Sequence, residues 1–177
     1  MYKRQAQFRL LFKALEFNKG IKTLSINRKA MDDDEMDCLA EALQDNQSLE
    51  VLQMEDNNLG PLSLEFLSKV LNQNYSLSSL SLEGNNLTRN KNSSFESFQN
   101  HEHEIMYYDS SEFQTFANSL ASNLNLVYLN LANCNLMPKC GRILYKALEN
   151  NDSLIMVDLS KNPLLDSRDI ILSLIHI

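Results

Sequence analysis

The sequence predicts an α/β fold, a stack of strand-and-helix units in which about five short parallel strands line one face and helices line the other. Three observations predict it: a spacing that recurs along the chain, a period of two in the first part of each copy, and a period near four in the second.

The recurrence emerges on aligning LEVLQMEDNNL, beginning at Leu49, with LSSLSLEGNNL, beginning at Leu77. The offset is 28 residues (77 minus 49), and the same step leads back from Leu49 to Ile21 and forward from Leu126 to Leu154, giving five copies. Each copy has apolar residues at its first, fourth and sixth positions: Ile21, Leu24 and Ile26; Leu49, Leu52 and Met54; Leu77, Leu80 and Leu82; Leu126, Leu129 and Leu131; Leu154, Val157 and Leu159. One polar residue separates the last two of each trio, so both face the same side of a short strand. The ninth position holds Asn57, Asn85 and Asn162, with Lys29 and Cys134 in the other two copies. An asparagine there can hydrogen-bond the backbone of a turn that has no sheet partner.

The second half of each copy changes period. Leu39 and Leu43, Leu67 and Leu71, Phe116 and Leu120, and Leu144 and Leu148 lie four apart, which puts each pair on one helical face. Three residues further on stands Asn46, Asn74, Asn123 or Asn151, read as a helix end in the left-handed conformation that asparagine tolerates. Three Asn-x-Ser sequons, at Asn46, Asn74 and Asn151, share this position and read as by-products of repetition. The acidic run Asp32-Asp33-Asp34-Glu35 falls where the first unit's helix begins, and its charge complements the helix dipole rather than marking a cation site.

Counting back 28 from Leu39 and Leu43 reaches Leu11 and Leu15, with Asn18 in the place of Asn46. Residues 1–20 therefore read as the helical half of an upstream unit. Units follow over residues 21–48, 49–76, 77–125 and 126–153, and residues 154–177 read as a truncated unit, all within a single domain, 1–177. A solenoid needs polar caps over its terminal units, neither end supplies one, and a fragment of a longer protein is expected. The third unit runs 49 residues (126 minus 77), 21 more than 28, and its composition places an inserted loop at residues 88–109, followed by a capping box from Asp109 to Glu112. Loops of that length are contact elements or lack structure. Phe95, Phe98, Tyr107 and Tyr108 are its candidate partner contacts.

No unit can bury its apolar face without neighbours, which demands a curved solenoid. The pattern L-x-x-L-x-L-x-x-N-x-L, then a helix and a total of 28 residues, resembles the ribonuclease-inhibitor subclass of leucine-rich repeats over nearly the whole chain. That resemblance implies a right-handed leucine-rich-repeat solenoid, a horseshoe segment with the parallel sheet on the concave face and helices on the convex face. Lys29 and Cys134 depart from the ladder asparagine, and the glycine that often starts the helix is found only as Gly141, one position late.

Composition narrows the function. Sixteen Lys and Arg against 23 Asp and Glu give a formal charge of -7, the wrong sign for a chain that grips phosphate backbones, so no nucleic acid is expected. No apolar run approaches the roughly 20 residues of a membrane-spanning helix, so no membrane is expected either. Cys38, Cys134 and Cys140 lack paired spacing and fit reduced thiols in the cytoplasm. His101-Glu102-His103-Glu104 has zinc-ligand chemistry, but a structural site wants about four ligands held by packing and these sit in the inserted loop, so no metal is predicted. Cys134 has no histidine at the matching turn of a neighbouring unit and reads as a buried substitute for asparagine. The four glycines do not cluster into a phosphate-cradling loop. No cofactor, small-molecule substrate or enzymatic activity is expected.

The concave face remains. Strand residues between the buried ones point outward in columns: Thr23, Val51, Ser79, Tyr128 and Met156; Ser25, Gln53, Ser81, Asn130 and Asp158; Asn27, Glu55, Glu83, Ala132 and Ser160. Val51, Gln53, Glu55, Glu83, Tyr128, Asn130, Met156 and Asp158 are the candidate binding residues, an aromatic anchor beside carboxylates that suits a protein with a basic or mixed surface. The leading expectation is a protein–protein interaction scaffold. One alternative is a GTPase-activating protein, because the activator of the nuclear-transport GTPase is built from similar repeats; another is a sensor array of an immune-type receptor or ciliary complex. No motif carries a functional residue over to a numbered position, and Arg89, Arg142 and Arg168 have no better claim than any surface arginine.

Overall fold

The computed structural model describes residues 2–88 and 111–163. Helices and strands alternate: α1 (Tyr2–Glu16), β1 (Thr23–Ser25), α2 (Asp33–Asp45), β2 (Val51–Gln53), α3 (Pro61–Gln73), β3 (Ser79–Ser81), α4 (Ser111–Ser122), β4 (Tyr128–Asn130), α5 (Pro138–Leu148) and β5 (Met156–Asp158). The strands form one parallel sheet in the order β1-β2-β3-β4-β5. Each strand needs a crossover before its parallel neighbour, and the intervening helix supplies it. Consecutive helices pack on one another from α1 to α5.

The 28-residue step reappears as strand register: Leu24 stands opposite Leu52, and Leu52 opposite Leu80. Between β3 and β4 the step lengthens, with Leu80 opposite Leu129, so the inserted residues leave the pairing itself intact. One apolar core runs through all units, made by the inward strand residues and by the helical pairs from Leu39 and Leu43 to Leu144 and Leu148. Leu52, Leu80 and Leu129 are fully buried, each contributing about 2 kcal/mol.

The first helix differs from the reading of its spacing. Leu15 is buried as expected, but Leu11 is 44% exposed, and Phe8 and Phe12 fill the interface instead. Their rings stack with centroids 5.4 Å apart. The equivalent Leu39 is buried because α1 lies against α2, whereas among the described residues nothing lies on the other side of α1.

Two turns per unit are held by asparagine. In the helix-to-strand turn, Asn74 Nδ2 donates to the carbonyls of Leu43 and Asn46 in the preceding unit, both at 2.7 Å. Its Oδ1 accepts from the backbone N–H of Ser76 and Leu77. Asn46 and Asn151 repeat all four bonds. The left-handed reading of these residues is corrected: Asn46 and Asn74 are extended, with φ of -78° and -90°. Asparagine is needed for its side chain, which carries donor and acceptor together, and not for its backbone freedom. The sequon serine joins in, Ser48 Oγ donating to Asn18 O at 2.7 Å and Ser76 Oγ to Leu49 O at 2.7 Å.

The left-handed residues lie at the other turn. Position eight of every unit, Arg28, Asp56, Gly84, Asn133 and Lys161, has positive φ. Next to it, Asn57 Nδ2 donates to Ile26 O at 2.8 Å, and its Oδ1 accepts from the N–H of Lys29 and Met31. The acidic run caps α2 as expected, with Asp32 and Glu35 forming a capping box. Asp33 reaches further, accepting from Gly60 N at 2.7 Å and from Ser63, so it caps the next unit's helix α3. The glycine at a helix start is thus Gly60, while Gly141 lies inside α5.

Candidate partner-binding face

The outward strand residues form straight lines across the sheet. Thr23, Val51, Ser79, Tyr128 and Met156 are register partners in sequence, as are Ser25, Gln53, Ser81, Asn130 and Asp158. Their inward neighbours are locked in the core, so this open face is rigid. Met156 is exposed, and Val51, Gln53 and Tyr128 are half-buried.

The carboxylates on this face are held in place. Glu55 Oε2 accepts from Asn27 Nδ2 at 3.0 Å and Glu55 Oε1 from Ser81 Oγ at 2.8 Å. Glu83 Oε2 accepts from Asn130 Nδ2 at 3.2 Å, and Glu83 Oε1 pairs with Lys161 Nζ at 3.2 Å. Asp158 Oδ1 accepts from the N–H of Ser160 at 2.9 Å. Tyr128 lies among them: burial, then the charges of Asp158, Glu55 and Glu83, push its hydroxyl above the ordinary tyrosine pKa. The phenol stays protonated and can donate to an incoming acceptor. The result is an amphipathic ring within a negative field, with Met156 beside it.

Asn130 behaves differently from the expectation. It is 6% exposed, its Nδ2 donates to Glu83 and its Oδ1 accepts from Ala132 N at 2.9 Å, so it props the acid rather than facing a partner. The loop candidates Phe95, Phe98, Tyr107 and Tyr108, the His101–Glu104 cluster, Asp109, Arg89 and Arg168 lie outside the described residues. Among the described residues no three His, Cys, Asp or Glu side chains converge on a metal-sized site. No described helix is long and apolar enough to cross a membrane.

Cys134 occupies the asparagine position of the strand-to-helix turn. Its Sγ lies 3.2 Å from Leu82 O, the carbonyl equivalent to those that Asn57 and Asn162 bond. Burial pushes its thiol pKa up to about 12 and that of Cys140 up to about 11. Both therefore hold their protons at neutral pH, as a structural buried thiol does.

One line of residues escaped the outward-column reading because it precedes the strands: Lys22, Glu50, Ser78, Val127 and Ile155. Its signal was an apolar pair in a polar column. Val127 and Ile155 are both exposed.

The fold and this face define a leucine-rich-repeat-like α/β stack presenting a rigid sheet surface. No family model matches the chain. The tropomodulin C-terminal domain of Caenorhabditis elegans superposes with a TM-score of 0.71 at 17% identity, covering 96% of this chain and 89% of that one. The leiomodin-1 actin-binding site 2 superposes with a TM-score of 0.70 at 13% identity, covering 96% and 84%. In sequence, 51 residues are 43% identical to the centrosomal protein of 78 kDa of Homo sapiens, and equally to that of Mus musculus. The match takes in 29% of this chain but only 7% and 6% of those proteins.

These comparisons correct the subclass. The chain's neighbours are tropomodulin and leiomodin domains, not ribonuclease-inhibitor-type repeats, and the relationship shown is a broad leucine-rich-repeat-like one. The physical reason is that a strand, a turn, a helix and a return set the repeat length for any such unit, so spacing alone does not choose among subclasses. The GTPase-activator and sensor-array alternatives gain no support from these neighbours, none of which is described as either.

Proposed function

We propose that this chain is a non-enzymatic, protein-binding module of the cytoplasm that holds its partner on the open, concave sheet face. The observation carrying this reading is the pairing of Tyr128 and Met156 in register on adjacent strands, with Glu55, Glu83 and Asp158 around them. Aromatic and methionine side chains desolvate well at interfaces, and preset carboxylates steer a basic surface into place. Val51 and Gln53 extend the contact toward the first units, and the loop residues Phe95, Phe98, Tyr107 and Tyr108 are its second candidate element. The buried, free thiols of Cys134 and Cys140 support a reducing compartment.

Actin deserves a test because the leiomodin-1 domain that shares this fold is described as an actin-binding site. The experiment is quantitative co-purification with the tagged chain, alongside co-sedimentation with actin filaments, for wild type and for Tyr128→Ala with Glu83→Lys. Proteins retained by the wild type should fall roughly tenfold in the variant while its circular dichroism is unchanged. Equal retention would move the contact off the sheet face.

A further inference from the structure

The line of residues just before the strands changes character midway. Lys22 and Glu50 form an ion pair at 2.7 Å and Ser78 follows, so the first half is polar. Val127 and Ile155 make the second half apolar, and Ile155 is 79% exposed. Ile155 N and Met156 N both donate to Val127 O, at 2.9 and 3.1 Å, which sets the two residues side by side. Leu124, 76% exposed, precedes Val127 on the same turn, and Met156, 59% exposed, continues the strip onto the open face. Single exposed apolar residues are ordinary, but a contiguous set rimmed by charge marks an interaction surface. Here the rim is acidic: Asp152 is exposed on the turn before Ile155, and Asp158 stands two residues beyond Met156.

We propose that this strip is the docking seat of a basic amphipathic helix from a partner protein, its apolar face on Leu124, Val127, Ile155 and Met156 and its lysines or arginines on Asp152 and Asp158. This rests on the reading of the sheet face as a protein-binding surface and carries it around the edge to residues outside the strand columns. Charge selects the occupant. A chain of net charge -7 attracts a basic segment. A second copy would set acid against acid, and an anionic bilayer would be repelled.

The test titrates the full chain against a fluorescein-labelled peptide of about 14 leucines and lysines with the leucines on one helical face, using the scrambled peptide as control. The ordered peptide should bind roughly tenfold more tightly than the scrambled one. Val127→Ser with Ile155→Ser, and separately Asp152→Lys with Asp158→Lys, should each remove roughly tenfold of that affinity. Equal binding of both peptides overturns the proposal. So does ordered binding that survives these variants and is lost only in Glu55→Lys with Glu83→Lys, a result that leaves the sheet-face reading standing. A dimer in sedimentation that Ile155→Ser dissolves, or pelleting with phosphatidylcholine vesicles that Ile155→Ser abolishes, reassigns the strip to a second copy or to lipid and overturns it equally. Failure of the sheet-face reading itself shows separately, in co-purification unaffected by Tyr128→Ala with Glu83→Lys.

Discussion

At the helix-to-strand turn the asparagine column runs unbroken through Asn18, Asn46, Asn74, Asn123 and Asn151, whereas at the strand-to-helix turn Lys29 and Cys134 interrupt Asn57, Asn85 and Asn162. Both columns tie each unit to the one before it. At the helix-to-strand turn Asn46, Asn74 and Asn151 each donate twice to the preceding unit and accept two N–H groups of their own turn, with Asn123 donating once, and only asparagine carries that set in so short a side chain. At the other turn the backbone can stand in. Where Cys134 lacks the acceptor oxygen, Leu87 N bonds Cys134 O at 3.3 Å and Asn85 N bonds Leu82 O at 3.3 Å. Lys29 begins the column, where no described turn lies upstream for its side chain to reach. A column tolerates substitution where main-chain groups can replace what the side chain provided.

That comparison is broken most directly by Asn74→Ala. It strands two carbonyls, the buried N–H of Leu77 and the part-buried N–H of Ser76, and should cost about 3 kcal/mol in urea unfolding; a loss under about 1 kcal/mol would show that water replaces the ladder. Asn85→Ala should cost about 2 kcal/mol, less because its Oδ1 accepts only from Leu59 N. Cys134→Ser keeps one donor toward Leu82 O and should lie within about 1 kcal/mol of wild type. A thiol titration sharpens the point. With pKa values near 12 and 11, Cys134 and Cys140 should stay unmodified by a disulfide reagent at about pH 8 until the chain unfolds, leaving Cys38 as the native reactive thiol.

The smallest effect concerns Glu35 in the α2 cap. Burial raises its pKa above the ordinary 4.5, more than the backbone hydrogen bond at Asp32 and the weaker pull of Arg4, 3.6 Å away, offset. The folded state therefore holds the proton more tightly than the unfolded one. The stability this contributes is present below pH 4.5 and is lost as pH rises through the raised value. Glu35→Gln keeps an oxygen for the Asp32 N–H and loses the charge, so thermal melts should show the variant gaining on wild type from pH 4 to 7. A variant that instead loses ground on wild type as pH rises over that range would mean that the Arg4 pair dominates.

Much of the fold was legible because its information is local. The trio at positions one, four and six names the inward strand residues, and the spacing of four names the inward helical ones, in every unit with neighbours on both sides. The end units were less legible. Leu11 has the spacing of Leu39 but not its burial, and Ile21 is exposed where Leu49 is buried. For the candidate site the columns and their register followed from alternation, but the accessibility of Asn130 did not, since its amide is tied to Glu83 in the turn after the adjacent strand.

By itself the sequence determined the repeat, the faces of its strands and helices, and which positions carry turn asparagines, since period and residue type are properties of the chain alone. Tertiary structure decided which carbonyl each asparagine meets, that Asp33 caps the helix of the next unit, and that the N–H groups of Ile155 and Met156 meet the carbonyl of Val127. Each of those depends on residues about one repeat apart coming within a few ångströms, a distance that only stacking sets.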